Sequence, residues 1–315
     1  MKTLFGILVS VLAAIGAALV VLTLRFRRNQ QRADAVWAGF APKPLELEPV
    51  ESLTIMPLVD AHTAGAGLAG EAGVSYLVKA GGARVLFDLG LDVRSLQGNA
   101  AALGVDLNEV DAVVISHRHL DHVGGLQAQK AHSFVLPAAR LEEGQVPVYL
   151  PEPLQHATAD VRVVEAPQHV ASCIASIGPI PRSLFVMGWT PEQSLAVNVA
   201  GKGIVLIVGC GHQGVRRIVE RAETLFDEPL YGLVGGLHLP ITASPRQRIL
   251  GADRPPWRPL AKEDANEVIR YLQDKGLKRI ALSPHDSCDW TLGAFKEAWG
   301  SDLSTVTVGQ QIIFS

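Results

Sequence analysis

The chain has 315 residues, which is enough for one large domain or two small ones with a sizeable buried core. Its net charge is −3 and charges of both signs are mixed along it, so no basic stripe for nucleic-acid binding is present. Three cysteines (Cys173, Cys210 and Cys288) are too few for a disulfide framework and suit a reducing compartment or a metal site.

The N-terminus contains an uncharged apolar run at residues 3–24, rich in Leu, Val, Ala, Ile and Gly. At about 1.5 Å per residue, a helix of this length spans the ~30 Å hydrocarbon core of a bilayer. Only Lys2 precedes the run, and four arginines follow it: Arg25, Arg27, Arg28 and Arg32. The positive-inside rule therefore predicts a single-pass anchor (residues 1–24) in the cell inner membrane with a cytoplasmic domain. A signal sequence that exports the domain is the alternative, because residues 13–18 include small residues that would suit cleavage.

Residues 25–51 are charged and punctuated by proline, which is typical of a linker, and the globular domain is predicted over 52–315. Short apolar runs predict strands at 53–58, 75–78, 84–87, 112–115, 147–150, 161–165, 195–199, 204–208, 230–234, 279–282 and 310–314. Apolar residues at helical intervals predict helices at 93–103, 215–225 and 262–275. Many strands with interspersed helices and no internal repeat indicate a layered α/β architecture.

A cluster of polar residues directly follows the predicted strand at 112–115. It contains His117, His119, Asp121 and His122, and the next residues include two glycines. Neutral imidazole and carboxylate groups are common ligands of zinc and of neighbouring divalent ions. The sequence therefore predicts a metal site at the end of this strand.

The pattern His-x-His-x-Asp-His resembles the signature motif of the metallo-β-lactamase superfamily, and the chain is identified as a member from it. The resemblance implies an α/β fold, a four-layer αββα metallo-β-lactamase sandwich over 52–315, preceded by one N-terminal transmembrane helix. It further implies that His117 and His119 bind one metal ion, whereas Asp121 and His122 bind a second.

The resemblance assigns two aspartates to catalysis. Asp88, within residues 85–90, matches the superfamily's first motif, whose carboxylate usually holds a ligand loop or imidazole in orientation. A turn cap before Gly90 is the alternative reading of Asp88. Asp121 occupies the position at which the superfamily uses a carboxylate to orient or deprotonate the attacking water.

The run after the predicted strand at 204–208 reads Gly209-Cys210-Gly211-His212, where many members have Gly-Asp. This run resembles the branch of the dihydropterin-type synthases of methanopterin biosynthesis. Further matches to the branch are Glu71, Gly73, Gly178, Ile180-Pro181-Arg182, Glu192-Gln193 and Gly235-Gly236-Leu237-His238-Leu239. Since residues 189–193 lack the usual third-motif histidine, we expect His212 to supply an imidazole. Cys210 is either a thiolate ligand or an inert small residue at the strand end.

His285 matches the histidine of the last motif, the final ligand of the second metal ion. The branch usually has a sequence like His-Cys-Thr-Gly here, whereas this chain reads His285-Asp286-Ser287-Cys288, so the substrate contacts of the branch do not carry over. His238 is either a substrate contact or a buried histidine with satisfied nitrogens. The insert at 241–261 either meets an anionic substrate or is a solvated loop; its arginines are Arg246, Arg248, Arg254 and Arg258.

These residues predict two bound divalent metal ions, with zinc favoured by ligand softness and manganese, iron or magnesium as alternatives. The expected function is a membrane-anchored metal-dependent hydrolase that uses a metal-bound hydroxide on a small ester or phosphoester-type substrate, such as a phosphorylated anion. One alternative is a dihydropterin-type synthase or transferase acting on a pyrophosphate-activated pterin. Another is a catalytically inactive metal-binding or sensing module, against which the intact ligand series argues.

Overall fold

The computed structural model describes residues 2–241, 254–255 and 257–315. Helix α1 covers Lys2–Ala38 and so continues past residue 24, where the membrane segment was predicted to end. Residues 25–38 of the predicted linker are therefore helical, because their Ala, Arg and Gln residues favour helix and Ala33 is fully buried against the domain. The following residues also pack on the domain, since Val50 forms a parallel bridge to Val199.

Two seven-stranded sheets make up the centre of the described domain. The first sheet contains β1 (Leu53–Val59), β2 (Ser75–Ala80), β3 (Ala83–Phe87), β4 (Ala112–Val114), β5 (Pro147–Leu150), β6 (Asp160–Val163) and β16 (Ile312–Phe314). Their spatial order is β16-β1-β2-β3-β4-β5-β6. The pairings from β3 to β6 are parallel, and those from β16 to β3 are antiparallel.

The second sheet contains β7 (Gln168–Ala171), β8 (Ile174–Ser176), β11 (Leu195–Val199), β12 (Gly203–Val208), β13 (Leu230–Gly235), β14 (Arg279–Leu282) and β15 (Leu303–Thr305). Its order is β15-β14-β13-β12-β11-β8-β7, with β12 to β15 parallel. A separate antiparallel hairpin is formed by β9 (Ile180–Leu184) and β10 (Gly188–Glu192). Sequence analysis missed this hairpin because Pro181 and Pro191, which face each other in it, are unfavourable inside strands.

Helices cover the outer face of each sheet. On the first sheet lie α2 (Val93–Ala102), α3 (Leu126–Lys130) and α4 (Ala139–Glu142); on the second lie α5 (Val215–Leu225), α6 (Lys262–Asp274) and α7 (Asp289–Trp299). One buried cluster, which contains Leu96 of α2 and Leu86 of β3, lies between the first sheet and its helices. A second cluster, which contains Ile218 of α5 and Leu206 of β12, lies between the second sheet and its helices. A third cluster fills the space between the two sheets. Three buried clusters between four layers confirm the predicted αββα sandwich.

The parallel strands decide where the polar motifs meet. Asp88 follows β3, the histidine-rich motif follows β4, Cys210 follows β12 and His285 follows β14. Parallel strands of one sheet end at the same edge, and the two sheets pack face to face with these edges together. The fold therefore gathers motifs that are far apart in the chain at one edge of the sandwich.

Candidate metal centre

The predicted ligands lie in two adjoining groups at this edge. The first group contains His117, His119 and His212, and the second contains Asp121, His122, Cys210 and His285. Within each group, one ligand atom from every residue lies within 4.8 Å of all the others. All except Asp121 are buried, and the Asp121 side chain is 25% exposed.

The spacings within the groups suit a small cation. Cys210 Sγ lies 3.1 Å from His122 Nε2 and 3.2 Å from His285 Nε2, and Asp121 Oδ2 lies 3.7 Å from His122 Nε2. A tetrahedral ion with bonds of roughly 2.0–2.3 Å keeps its donor atoms about 3.3–3.8 Å apart. The contacts of Cys210 place its thiol between two imidazoles, which favours the ligand reading of this residue over the inert one.

Neighbouring side chains contact the Nδ1 atoms of His117 and His122. Ser116 Oγ lies 2.9 Å from His117 Nδ1, and Asp88 Oδ2 lies 2.7 Å from His122 Nδ1. Asp88 also accepts hydrogen bonds from the Ser116 backbone N–H at 2.6 Å and from its hydroxyl at 2.7 Å. Such outer contacts set the tautomer and the orientation of metal-binding histidines. Asp88 is fully buried and does not line the cavity described below, and its contacts are those of a carboxylate that orients a ligand; its assignment to catalysis stays a prediction.

A second chain of hydrogen bonds reaches His285. Its Nδ1 lies 2.6 Å from Ser283 Oγ, which donates to Asp60 Oδ2 at 2.7 Å. The Tyr76 hydroxyl donates to the same oxygen at 2.7 Å. Sequence analysis assigned no role to Asp60, although an acidic residue directly after an apolar strand was an available signal. Burial is the main cause that raises the pKa of Asp60, to about 7.

Glu192 holds the loop that carries Cys210 and His212. One carboxylate oxygen accepts the backbone N–H groups of Cys210 at 3.0 Å and of Gly211 at 2.8 Å, and the other accepts that of His212 at 2.7 Å. Sequence analysis named Glu192 only as part of a motif shared with the dihydropterin-synthase branch and assigned no role to it. Because Gly209 would clash with the Ser116 hydroxyl if it had a Cβ, at 2.4 Å, the loop requires glycine there.

His238 lies beside the clusters and also groups with Cys210 and His212. Its backbone N–H donates to Asp286 Oδ2 at 2.8 Å, and its φ of 47° is in the left-handed region. Gly236 packs so closely that a Cβ there would lie 2.3 Å from the same Asp286 oxygen. His238 is thus held at the edge of the site by a buried carboxylate that sequence analysis did not single out.

Burial shapes the electrostatics of the centre. It is the largest cause that lowers the pKa values of His117, His119 and His285 well below the ordinary range, with further lowering by neighbouring imidazoles. Burial also acts to lower the pKa of His122, but the charges of Asp88 and Asp121 outweigh it and raise this pKa to about 9. These histidines other than His122 are therefore neutral at pH 7, the form in which imidazole binds metals.

Burial likewise raises the pKa of the Cys210 thiol well above its usual value, and nearby carboxylates, Asp121 first, add to it. A cation at the cluster has the opposite effect, since it stabilises the thiolate. The donor set fits a divalent metal ion: five imidazoles, one carboxylate and one thiol converge, and His119 Nε2 is buried without a hydrogen-bond partner among the described residues.

A cavity of about 440 Å³ lies over the clusters. Its polar lining includes His119, Asp121, Cys210, His212 and His285, together with His238, Asp286 and Glu71. The remaining wall is largely apolar, with Leu91, Leu120, Met187 and Pro240. A second cavity of about 530 Å³ shares His212 and His238 with the first.

The arginines of the predicted insert at 241–261 are only partly described. Arg246 and Arg248 lie outside the described residues. Arg254 lines the second cavity and pairs with Asp264 at 2.9 Å, whereas Arg258 is exposed. An anion-binding role for the insert stays a prediction.

Comparison with known proteins supports the same family. Residues 68–170, about a third of the chain, match the model of the metallo-beta-lactamase superfamily. The 7,8-dihydropterin-6-methyl-4-(beta-D-ribofuranosyl)-aminobenzene-5'-phosphate synthase of Methanocaldococcus jannaschii is 21% identical over 267 residues, which are 73% of this chain and 84% of that protein. A ribonuclease of Thermus thermophilus is 49% identical over 55 residues, but these are 17% of this chain and only 13% of the ribonuclease.

The fold has solved counterparts. The crystal structure of a metal-dependent hydrolase of the beta-lactamase superfamily matches with a TM-score of 0.58 and 21% identity, over 82% of this chain and 98% of that one. At this identity the likeness concerns the fold. The matched segment, the shared fold and the motif series show that this chain is similar to proteins of the metallo-β-lactamase superfamily and to the dihydropterin-type synthase of the methanogen.

Proposed function

We propose that the chain is a membrane-anchored, metal-dependent hydrolase that cleaves a small ester or phosphoester. The observation that carries this proposal is the convergence of seven donor residues from three separate motifs into two adjoining groups beneath one cavity. Three of the imidazoles contact a neighbouring oxygen through Nδ1, and these oxygens belong to Ser116, Asp88 and Ser283. Such preorganisation is a feature of sites that bind metal for chemistry.

Each donor group would hold one divalent ion, and the imidazole and thiol donors favour zinc over manganese, iron or magnesium. When bound, such ions lower the pKa of water toward ~7 and stabilise the negative charge that develops on a carbonyl or phosphoryl oxygen.

The residues of the cavity supply the remaining chemistry. Asp121 is the only donor of its group that is partly exposed, so its carboxylate can orient an attacking water and accept its proton. His238 lines the cavity, where an imidazole N–H can donate a hydrogen bond to the leaving oxygen of the substrate. The apolar wall excludes bulk water and strengthens these electrostatic contacts.

Membrane anchoring is supported by α1. A window of this helix has a mean hydropathy of 2.8, and none of that window is buried in the domain. The arginines after residue 24 favour a cytoplasmic domain in the inner membrane. A sodium carbonate wash of isolated membranes tests the anchor, because it removes peripheral proteins and leaves a spanning helix in place. Protease protection of the domain in spheroplasts, with cleavage only after lysis, is the expected orientation result.

Metal analysis with a paired variant tests the hydrolase proposal. The full-length protein, purified in detergent without chelator, is expected to carry about two equivalents of zinc, manganese or iron by plasma mass spectrometry. His119→Ala should lower the metal content and abolish hydrolysis of bis(4-nitrophenyl) phosphate and 4-nitrophenyl acetate. His169→Ala is the matched control, because His169 is exposed on β7 and outside the donor groups. Protein that is metal-free and fails to bind added metal would instead favour a binding or sensing module.

The second candidate is a synthase-like transfer on a pyrophosphate-activated pterin. It is favoured by the alignment over 84% of the methanogen synthase. The departure at His285-Asp286-Ser287-Cys288 counts against it, because Asp286 is committed to the His238 backbone. Pyrophosphate release from a dihydropterin pyrophosphate, without hydrolysis of either chromogenic ester, is the result that would put the synthase first.

A further inference from the structure

Helix α1 packs against the hairpin of β9 and β10 at the point where its apolar segment ends. Arg25 donates a hydrogen bond to the Val186 carbonyl at 2.7 Å, and the Phe26 ring meets the Phe185 ring edge to face at 5.7 Å. Both contacts involve the hairpin turn between the two strands. Because α1 is one continuous helix from residue 2 to 38, the turn keeps a fixed height relative to the apolar segment.

With the apolar segment of α1 placed across a bilayer, this height corresponds to the surface of the bilayer. Arg25 directly follows Leu24, the last residue of the uncharged run, so Val186 lies where the helix would leave the hydrocarbon core. Val186 is an exposed valine, 49% accessible, in the turn itself. Trp257 is 55% exposed and shares a cleft with residues 19–27 of α1. Tryptophan is enriched at this depth of membrane proteins, and the arginines of α1 suit anionic headgroups.

The same turn forms a wall of the metal cavity. Met187, the neighbour of Val186, lines the cavity beside the donor groups. Leu91, Leu120 and Pro240 add apolar surface to the same cavity. An apolar chain that reaches the donors past Met187 would therefore stay in contact with apolar side chains, and its far end would lie at the level of the bilayer.

We infer that the metal cavity faces the membrane surface and takes an amphiphilic ester or phosphoester, whose apolar chain stays in the bilayer while its ester group reaches the metal centre. This inference rests on the proposed function and names its substrate class. In the reaction, the oxygen of water bonds to the acyl carbon or to phosphorus and the ester C–O or P–O bond breaks. The proton from water passes to the leaving oxygen, which gives an alcohol and an acid.

A measurement of how deeply the hairpin turn lies in the bilayer tests the inference and does not require enzymatic activity. The full-length chain is placed in nanodiscs of phosphatidylcholine and phosphatidylglycerol, with one nitroxide attached at Val186→Cys, Leu12→Cys or Val163→Cys. The native cysteines are buried, which restricts labelling to the introduced thiols. Val163 is the matched control, since it is an exposed valine on β6 in the first sheet.

We expect the label at Val186 to be relaxed more by dissolved oxygen than by a water-soluble nickel chelate, as at Leu12, whereas Val163 shows the reverse. A water-exposed label at Val186, together with a bilayer-embedded label at Leu12, would overturn the inference and leave the anchor intact. Water exposure of both labels would contradict the anchor of the proposed function itself.

Chain-length selectivity gives an independent measurement. With vesicle-bound enzyme, kcat/KM for 4-nitrophenyl decanoate should exceed that for 4-nitrophenyl acetate by at least about tenfold, since each buried methylene adds to binding. Met187→Asp should remove most of this preference, measured as the ratio of the two kcat/KM values, while Met187→Leu retains the preference. Equal selectivity in Met187→Asp and wild type would overturn the inference. Absence of hydrolysis of both esters by wild type would count against the hydrolase proposal, and the nitroxide depths then decide the inference separately.

Discussion

Replacing Glu192 by Gln should loosen the loop that carries two of the candidate ligands. Glu192 is completely buried and its two carboxylate oxygens accept three backbone N–H groups, from Cys210, Gly211 and His212. Gln has the same shape but only one acceptor oxygen. Its amide N–H₂ must therefore face at least one of these N–H donors, and a buried donor is left without an acceptor.

The structure sets the size of this effect. Losing one hydrogen bond to a charged acceptor costs about 1.5–3 kcal/mol of the free energy of unfolding. For a domain of this size, that corresponds to a fall in Tm of roughly 3–10 °C. Because the loop positions Cys210 and His212, metal affinity should fall by about 10- to 100-fold, as is typical when an outer contact of a ligand is lost.

Both quantities can be measured on the full-length protein in detergent. Circular dichroism gives the Tm of the metal-free protein, and competition with a zinc chelator gives the affinity. Glu297→Gln is the matched control, because Glu297 is exposed on α7, and it should change neither quantity. If Glu192→Gln keeps the wild-type Tm and zinc affinity, the carboxylate does not hold the ligand loop and the reasoning is wrong.

Three further changes have defined outcomes. Gly209→Ala places a Cβ 2.4 Å from the Ser116 hydroxyl, so metal content by mass spectrometry should fall while secondary structure persists; full occupancy would show that the loop can relax. The pKa of Asp60 is raised from 3.8 to about 7, so the protonated carboxyl stabilises the folded, metal-free protein. This contribution to the free energy of unfolding is fully present below pH 3.8 and decreases by about 4 kcal/mol as the pH rises to 7. Asp60→Asn should therefore flatten the pH dependence of urea unfolding between pH 4 and 7, and an unchanged slope would contradict the assignment. The fragment 36–315 should melt several degrees below 25–315, because residues 25–35 pack on the hairpin and bury aromatic and methyl groups; equal Tm values would mean that this part of α1 adds no stability.

Local sequence patterns predicted much of the fold. Short apolar runs located most strands of both sheets, and apolar residues at helical intervals located the helices α2, α5 and α6, because burial of an element imposes a pattern on its own sequence. The short strands β7, β8 and β15 and the proline-containing hairpin lack such a pattern, so they were missed. The helical continuation of α1 was also missed, since contacts with the hairpin stabilise it.

For the candidate site as well, the sequence predicted one part and the tertiary structure decided the rest. Residue type and order alone singled out the histidines and aspartates, because few side chains bind divalent ions and the motifs follow strand ends. The sequence left two readings of Cys210 open, and only the fold brings its sulfur within 3.2 Å of His122 and His285, residues 88 and 75 positions away. The supporting carboxylates Asp60 and Glu192 depend on the same long-range packing. The sequence therefore determined which groups are available for metal chemistry, whereas tertiary structure decided which of them meet and what holds them, because contacts between distant residues follow from the packing of whole layers and not from any local period.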